Sequence, residues 1–228
     1  MRLLLAWLVH LYTALGAAVA VFTLALVAAG RHREALALMG LALILDATDG
    51  TFARAARVKE LIPRVDGARL DDIVDYLNYV FVPCFLLVWA DLLPAGHGWW
   101  IVCLPLLASA YGFSQTDAKT ADHHFLGFPS YWNVVAFYCF VLDSAPWVNA
   151  LGVMVLSVMV FVPIRYLYPS RNTLLQGLTI TLGAIWGVLC FAVVYLLPDP
   201  PYSLVLGSLF FPVYYLALSF WSHLRQGA

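Results

Sequence analysis

Long apolar runs with almost no charge constrain the fold of this chain more than any other feature. The chain has 228 residues, of which 63% are hydrophobic and only 11% are charged. Soluble globular domains carry about 25% charged residues, so this chain falls outside their range. An α-helix needs about 20 apolar residues to cross a bilayer, and runs of this length recur along the whole sequence. The sequence therefore predicts an all-α polytopic membrane helix bundle.

Eight membrane-spanning helices are predicted, separated by short polar turns such as DLLPAGHG and YPSRN. No linker is long enough to divide the chain, so residues 1–228 are predicted to form a single integral membrane domain. The predicted helices cover residues 5–29, 34–53, 70–91, 98–115, 130–146, 149–167, 173–196 and 202–224.

The positions of the basic residues predict the orientation. If both termini are cytoplasmic, all of the 12 lysines and arginines except Arg31 and Arg33 lie on the cytoplasmic side. Short cytoplasmic loops carry an excess of Lys and Arg, so this orientation is the expected one. It places the end of the second helix, the start of the third helix and the loop between them on the cytoplasmic side.

Four aspartates stand at that cytoplasmic side. Asp46 and Asp49 are three residues apart and Asp71 and Asp75 are four apart, so each pair lies on one face of its helix. If the two helices are antiparallel neighbours, the pairs converge. Each charge placed deep in a membrane costs about 2.5 kcal/mol or more, and four carboxylates also repel one another. A positive group is therefore expected among them.

Two interpretations of the aspartates follow. Oxygen ligands suit a hard cation such as Mg²⁺ or Mn²⁺, and four carboxylates can hold two such ions. Gly50 and Gly67 lie beside them and leave room for a bulky ligand, although glycines also allow close packing of membrane helices. The other interpretation is that the aspartates cap helices or form ion pairs with the arginines of the loop, which are Arg54, Arg57, Arg64 and Arg69.

The spacing of these residues resembles a family signature. Asp46-x-x-Asp49-Gly50-x-x-Ala53-Arg54, then twelve residues, then Gly67-x-x-x-Asp71-x-x-x-Asp75 is similar to the motif of the CDP-alcohol phosphotransferases. These integral membrane enzymes transfer a phosphatidyl or related group from a CDP-linked donor to an alcohol. The twelve-residue spacer AARVKELIPRVD, in place of the usual eight, resembles the subfamily of bacterial phosphatidylcholine synthases.

The resemblance implies roles for individual residues. Asp46, Asp49 and Asp71 would bind two divalent cations, with Asp75 near the metals and acting as the general base. Gly50, Ala53, Arg54 and Gly67 would line the CDP-diacylglycerol site. The implied reaction joins choline to the phosphatidyl group and releases CMP. The resemblance also implies a bacterial inner membrane location, a homodimer and no nucleic-acid partner.

Aromatic side chains are the expected choline ligands, because a quaternary ammonium binds to aromatic faces. Tyr131, Trp132 and Tyr166 are the first candidates, since they flank loops that carry Lys119 and Arg165. Lys119 and Arg165 are candidate ligands of the donor phosphates, or they simply follow the positive-inside bias.

Several other polar residues are expected to have supporting roles outside the metal site. His123 and His124, with Asp117 and Asp122 nearby, are expected to be solvated or to support site residues. Asp72 is expected to point away from Asp71 and to pair with Arg69 or Lys119. His10 is expected to be a hydrogen-bonded packing residue of the first helix.

Two alternative functions remain open. The acceptor alcohol could instead be serine, inositol phosphate or glycerol phosphate, although a phosphorylated acceptor would need more basic residues than the chain offers beyond the loop. The second alternative is a divalent-cation transporter. Transport would favour carboxylates near the middle of the membrane and broken helices, whereas these aspartates lie at one end of their helices.

Overall fold

Helices form most of the described chain. The structure is a computed structural model and describes residues 1–116, 120, 124–168 and 174–226. In these residues, 5 helices are long and apolar enough to cross a membrane. They are Arg2–Ala28, His32–Ala55, Gly67–Trp89, Gln176–Tyr195 and Tyr202–Arg225. The predicted fold class, a polytopic helical membrane bundle, is therefore confirmed.

The elements follow one another in a simple order. The described elements are α1 (Arg2–Ala28), α2 (His32–Ala55), α3 (Val58–Leu61), α4 (Gly67–Asp75), a π-helical turn (Tyr76–Phe81), α5 (Val82–Trp89), α6 (Gly98–Ser114), β1 (His124–Leu126), α7 (Trp132–Val141), α8 (Pro146–Met159), β2 (Arg165–Leu167), α9 (Gln176–Tyr195), α10 (Tyr202–Ser208) and α11 (Phe210–Gln226).

The third span begins earlier than predicted, at Gly67 instead of residue 70. The cause is a helix cap, because the carboxylate of Asp66 accepts hydrogen bonds from the backbone N–H groups of Ala68 and Arg69 at 3.1 and 3.3 Å. A cap of this kind satisfies N–H groups that have no partner within the helix. The sequence allows the motif aspartates to act as helix caps. The residue that caps α4 is instead Asp66, which is not one of the four motif aspartates.

Three predicted spans correspond to shorter helices. The helices α6, α7 and α8 have 17, 10 and 14 residues. The prediction of one helix over 149–167 is wrong, because α8 ends at Met159 and Arg165–Leu167 forms a strand. Pro163 explains the break, since proline has no N–H to donate and disfavours a helical conformation in the residue before it.

The two strands form a small antiparallel ribbon that packs on the last helix. Phe125 lies opposite Tyr166 in the register of β1 and β2. The hydroxyl of Tyr215 donates a hydrogen bond of 3.0 Å to the carbonyl of Leu167, and the N–H of Leu167 donates one of 3.2 Å to Ser219. The ribbon is thus attached to α11.

The core lies where α5, α6 and α7 meet. Trp132, Leu86 and Leu87 are fully buried there. Large apolar side chains also lie on the outside, such as Trp100 at 78% exposure and Val188 at 69%, which is a surface suited to lipid. The helix α1 packs along α2 and α4, and the candidate site lies between these three helices.

Candidate active site

The motif aspartates meet between α2 and α4. Carboxylate oxygens of Asp46, Asp49 and Asp71 lie within 4.8 Å of one another. Asp75 lines the same small cavity as these three residues. We call this cavity, which measures about 10 Å³, the inner cavity. It has the size of about one water molecule, so the carboxylates surround a space suited to an ion.

Neighbouring hydroxyl groups orient two of the carboxylates. The hydroxyl of Thr13 on α1 donates a hydrogen bond of 2.8 Å to Oδ2 of Asp49, which is only 7% exposed. The hydroxyl of Tyr79 donates a hydrogen bond of 2.6 Å to Oδ2 of Asp46. Bonds of this kind restrict the rotation of a ligating carboxylate. Neither Thr13 nor Tyr79 belongs to the motif.

Gly16 allows α4 to approach α1 closely. A Cβ atom on Gly16 would overlap Cγ1 of Val74, which lies between Asp71 and Asp75 on α4. The side-chain amide of Asn78 donates a hydrogen bond of 3.0 Å to the carbonyl of Gly16. Close packing at this glycine sets how near α4 lies to the rest of the site.

The π-helical turn places Tyr79 beside the aspartates. Tyr79 lies within this turn, and its spacing of four residues from Asp75 keeps the two side chains on one face of the helix. Both side chains line the inner cavity, together with Asn78. The sequence contains no proline or glycine within Tyr76–Phe81 that would have indicated this local change.

A larger cavity adjoins the aspartates. This outer cavity has a volume of about 800 Å³ and shares Thr13, Asp49 and Asp71 with the inner cavity. Binding sites for small molecules typically measure roughly 300–1,000 Å³, so the outer cavity can hold a nucleotide. It is also lined by the predicted donor-site residues Gly50, Ala53, Arg54 and Gly67 and by the basic residues Arg57 and Lys59.

The outer cavity combines small residues with positive charge. The guanidinium of Arg54 donates a hydrogen bond of 3.0 Å to the hydroxyl of Thr51. A Cβ atom on Gly50 would lie 3.3 Å from the same guanidinium. The glycine thus leaves space beside the arginine for an anionic group.

One predicted phosphate ligand, Arg165, is not brought to this cavity. Arg165 lies at the start of β2, where it pairs with Leu126, and it is not among the residues that line the outer cavity. Lys119 lies outside the described residues, as do Asp117, Asp122 and His123. The donor site in the described chain therefore consists of the residues on α1, α2 and α4 and the loop between α2 and α4.

The aromatic candidates lie in different environments. Tyr131 is half-buried, its ring centroid is 5.9 Å from that of Tyr215, and it is within electrostatic reach of Asp46 and Asp75. Tyr166 is 3% exposed and lies on the ribbon.

Trp132, in contrast, belongs to the core. It is fully buried, and its indole N–H donates a hydrogen bond of 2.8 Å to Ser109. A ligand could reach this ring only if the core opened.

Two further expectations are corrected, for His124 and His10, and one stays untested. His124 is not solvated, since it is 2% exposed and its Nε2 lies 3.1 Å from the hydroxyl of Ser222. The pairing of Asp72 stays a prediction, because Arg69 forms an ion pair of 3.3 Å with Asp66 and Lys119 lies outside the described residues. His10 is not a hydrogen-bonded packing residue, because its Nε2 has no hydrogen-bond partner in the part of the chain that the structure describes.

The donor set fits a hard divalent cation. Asp46, Asp49 and Asp71 each offer one carboxylate oxygen, and these atoms are close enough to coordinate a single ion. Mg²⁺ and Mn²⁺ prefer oxygen ligands of this kind. The cluster can therefore bind a divalent metal.

Comparisons with known proteins identify the family of this chain. Residues 6–164 match the model of the CDP-alcohol phosphatidyltransferase family. A phosphatidylcholine synthase of Legionella pneumophila is 40% identical over 95% of this chain and 88% of its own length. One of Legionella bozemanae is 45% identical over 68% and 72%, and one of Pseudomonas aeruginosa is 34% identical over 97% and 93%. The matched region contains the four aspartates, and the chain belongs to the CDP-alcohol phosphatidyltransferase family of membrane enzymes.

Proposed function

We propose that this protein transfers the phosphatidyl group of CDP-diacylglycerol to choline and releases CMP. The observation that carries the proposal is the convergence of Asp46, Asp49, Asp71 and Asp75 on a cavity that adjoins a second, nucleotide-sized one. The choice of choline rests on similarity to proteins named phosphatidylcholine synthase over most of the chain and on the twelve-residue spacer.

Asp46, Asp49 and Asp71 would hold the divalent metal, and Asp75, which lines the same cavity, would help to complete a site for two ions. When bound, Mg²⁺ or Mn²⁺ would stabilise the negative charge of the diphosphate. Thr13 and Tyr79 keep the carboxylates of Asp49 and Asp46 in fixed orientations through their hydrogen bonds. The family resemblance supports two ions, and the oxygen ligands suit either metal.

Asp75 is the proposed general base. Its carboxylate accepts the proton of the choline hydroxyl, and the choline oxygen forms a bond to the phosphorus that carries diacylglycerol. The bond from that phosphorus to the oxygen of CMP breaks, and CMP leaves. A positioned carboxylate base typically contributes roughly 100- to 10,000-fold to such a rate.

The outer cavity is the proposed site of the cytidine nucleotide. Gly50, Ala53 and Gly67 leave the space, and Arg54 supplies positive charge for the phosphates. For choline, the proposed ligands are Tyr131 and Tyr166, to which we add Tyr79, because its ring lies in the wall of the inner cavity. Trp132 would support this surface from the core. Arg165 does not line the outer cavity, and Lys119 lies outside the described residues, so a role for either in phosphate binding rests on the sequence alone.

The protein is an integral membrane protein with bacterial relatives. We propose that it lies in the bacterial inner membrane with both termini and the active site on the cytoplasmic side, as the distribution of lysine and arginine favours. The acyl chains of the donor would stay in the bilayer while the head groups react at its surface. A homodimer is proposed from the family resemblance, and native mass spectrometry in detergent would test it.

A transfer assay with competing acceptors tests the proposal. Purified protein receives CDP-diacylglycerol, labelled choline and Mn²⁺ or Mg²⁺, with serine, inositol phosphate and glycerol phosphate as competitors. The expected result is metal-dependent phosphatidylcholine with an equal amount of CMP. Consumption of another acceptor would overturn the choice of choline but keep the reaction class. Absence of transfer to every acceptor, in a protein that moves divalent cations across vesicles, would favour a transporter.

A further inference from the structure

A buried histidine of α1, His10, has an imidazole nitrogen that the proposed roles of the site residues do not explain. His10 is 7% exposed, and in the described chain its Nε2 has no hydrogen-bond partner. The ring of Trp7 packs against it edge-on at 6.1 Å, which satisfies no polar atom. Burying a polar nitrogen without a partner is unfavourable, and most such atoms in proteins are hydrogen-bonded. A bound ligand is one way to supply the missing partner.

The position of His10 points to a particular ligand site. His10 lines the outer cavity but not the inner one. A Cβ atom on Gly67 would lie 3.3 Å from Cε1 of His10, so the imidazole lies directly across from this motif glycine. The missing side chain of Gly67 therefore allows the imidazole to pack this closely against α4.

The residues of α1, α2 and α4 that line the two cavities can be grouped into levels, each one helical turn from the next. Thr13, Asp49 and Asp71 form the level that both cavities share. One turn away, at a spacing of three or four residues, the outer cavity is lined by residues that do not reach the inner cavity. These residues are His10 on α1, Ala53 on α2 and Gly67 on α4. At this level His10 contributes a large polar side chain, whereas Ala53 and Gly67 are small.

We infer that His10 contacts the nucleoside part of the CDP-linked donor and helps to select it. The inference rests on the proposed function, in which the diphosphate lies beside the aspartates and the ribose and base therefore extend into the outer cavity. His10 lies in the wall of that cavity, within the level that the nucleoside part would occupy. The hydroxyl and base groups of the nucleoside can donate to or accept from Nε2. His10 is thus a donor-binding residue outside the motif that carries the family signature.

The test measures nucleotide binding separately from turnover. The affinity for CMP in the presence of Mn²⁺ is measured by calorimetry for the full-length protein in detergent and for His10→Ala, His10→Asn and His10→Gln. Loss of one hydrogen bond to the ligand should weaken CMP binding roughly three- to tenfold in His10→Ala. The KM for CDP-diacylglycerol should rise by a similar factor, while the KM for choline and the Mn²⁺ dependence stay unchanged. His10→Asn or His10→Gln should recover part of the affinity, because an amide can also donate and accept.

His32 provides a matched control. It is a histidine at the other end of the helix pair, and its buried Nε2 also has no partner in the described chain. His32→Ala should leave CMP binding and both KM values unchanged. An equal effect of His32→Ala and His10→Ala would overturn the inference.

The remaining outcomes separate this inference from the proposed function. Unchanged CMP affinity in His10→Ala, in a protein that makes phosphatidylcholine, overturns the role of His10 and leaves the proposed function intact. A His10-dependent CMP affinity in a protein that makes no phosphatidylcholine supports the role of His10 and overturns the choline assignment. A loss of thermal stability with an unchanged CMP affinity means that His10 has a packing role only, which also overturns the inference.

Discussion

The hydroxyl of Thr13 lies 2.8 Å from Oδ2 of Asp49 and donates a hydrogen bond to it. This bond connects the first helix of the chain to a carboxylate of the family motif, 36 residues later. The motif itself lies on α2 and α4, so the bond adds a third helix to the candidate metal site. The contribution of α1 to the site can be tested directly.

Replacing Thr13 with valine should weaken metal binding while preserving the fold. Valine has a similar shape but cannot donate, so Asp49 would lose an orienting hydrogen bond. Changes of such supporting groups typically reduce metal affinity roughly 10- to 100-fold. The Mn²⁺ concentration needed for half-maximal activity measures the effect. Thr23→Val is the matched control, because Thr23 is a buried threonine of the same helix whose hydroxyl donates to the carbonyl of Val19. A similar shift in both variants would contradict this role for Thr13.

Replacing Gly16 with alanine should disturb the site through helix packing. The new Cβ would overlap Cγ1 of Val74, and a β-branched valine has little rotamer freedom in a helix. The helices α1 and α4 must then separate, which should destabilise the protein by about 1–3 kcal/mol and reduce transfer. Thermal unfolding followed by intrinsic fluorescence gives the first quantity and the transfer assay the second.

Gly40→Ala is the control for this experiment. Gly40 lies on α2, and a Cβ atom there would have no atom within 4 Å. The stability and activity of the Gly40→Ala variant should match those of the unchanged protein. If Gly16→Ala behaved in the same way, packing at Gly16 would not set the geometry of the site.

Replacing Asp75 with asparagine should remove the proton acceptor with little change in shape. Transfer should fall by roughly 100-fold or more, while CMP binding in the presence of Mn²⁺ is largely retained. Single-turnover transfer and calorimetry with CMP measure the two effects. Asp72→Asn serves as the control, because Asp72 belongs to the same helix but does not line the inner cavity. Full transfer by Asp75→Asn would exclude Asp75 as the base.

Removing the metal should lower the stability of the protein as well as its activity. The carboxylates of Asp46, Asp49 and Asp71 repel one another without a cation. A ligand at about 100 times its Kd stabilises a folded protein by about 2.7 kcal/mol. We therefore expect EDTA to abolish transfer and added Mn²⁺ to raise the Tm.

Two variants make the stability measurement specific. In Asp49→Asn the Tm should respond weakly to Mn²⁺, because one ligand is neutral. In Asp91→Asn it should respond as in the unchanged protein, since Asp91 lies just beyond the other end of the Gly67–Trp89 span. A Tm that is insensitive to Mn²⁺ in the unchanged protein would contradict metal binding by the cluster.

The convergence of the motif aspartates could be predicted from the sequence because their arrangement is local. Spacings of three and four residues place Asp46 with Asp49, and Asp71 with Asp75, on single helix faces without any knowledge of the fold. The short loop between α2 and α4 then favours antiparallel neighbours. Gly50, Ala53, Arg54 and Gly67 follow from the same two helices, and all four line the outer cavity.

Other features depended on distant parts of the chain. The strands β1 and β2 pair residues such as Phe125 and Tyr166, about 40 positions apart, and each strand is too short to show an alternating pattern. The helix cap at Asp66, in contrast, could have been predicted from the sequence, because an aspartate directly before a helix is a common N-cap. The hydrogen bond from Tyr79 to Asp46 joins residues 33 positions apart, and no residue type in the sequence indicated the π-helical turn that contains Tyr79.

The sequence by itself determined that this chain is a helical membrane protein and which carboxylates could bind a metal, because hydropathy and helical periodicity are local properties. Only the tertiary structure identified Thr13, Gly16, Tyr79 and His10 as neighbours of the aspartates. The physical reason is that lipid is as apolar as the interior of the bundle, so an apolar helix such as α1 does not reveal which face packs against its neighbours. That face was decided by the contacts of α1 with α2 and α4.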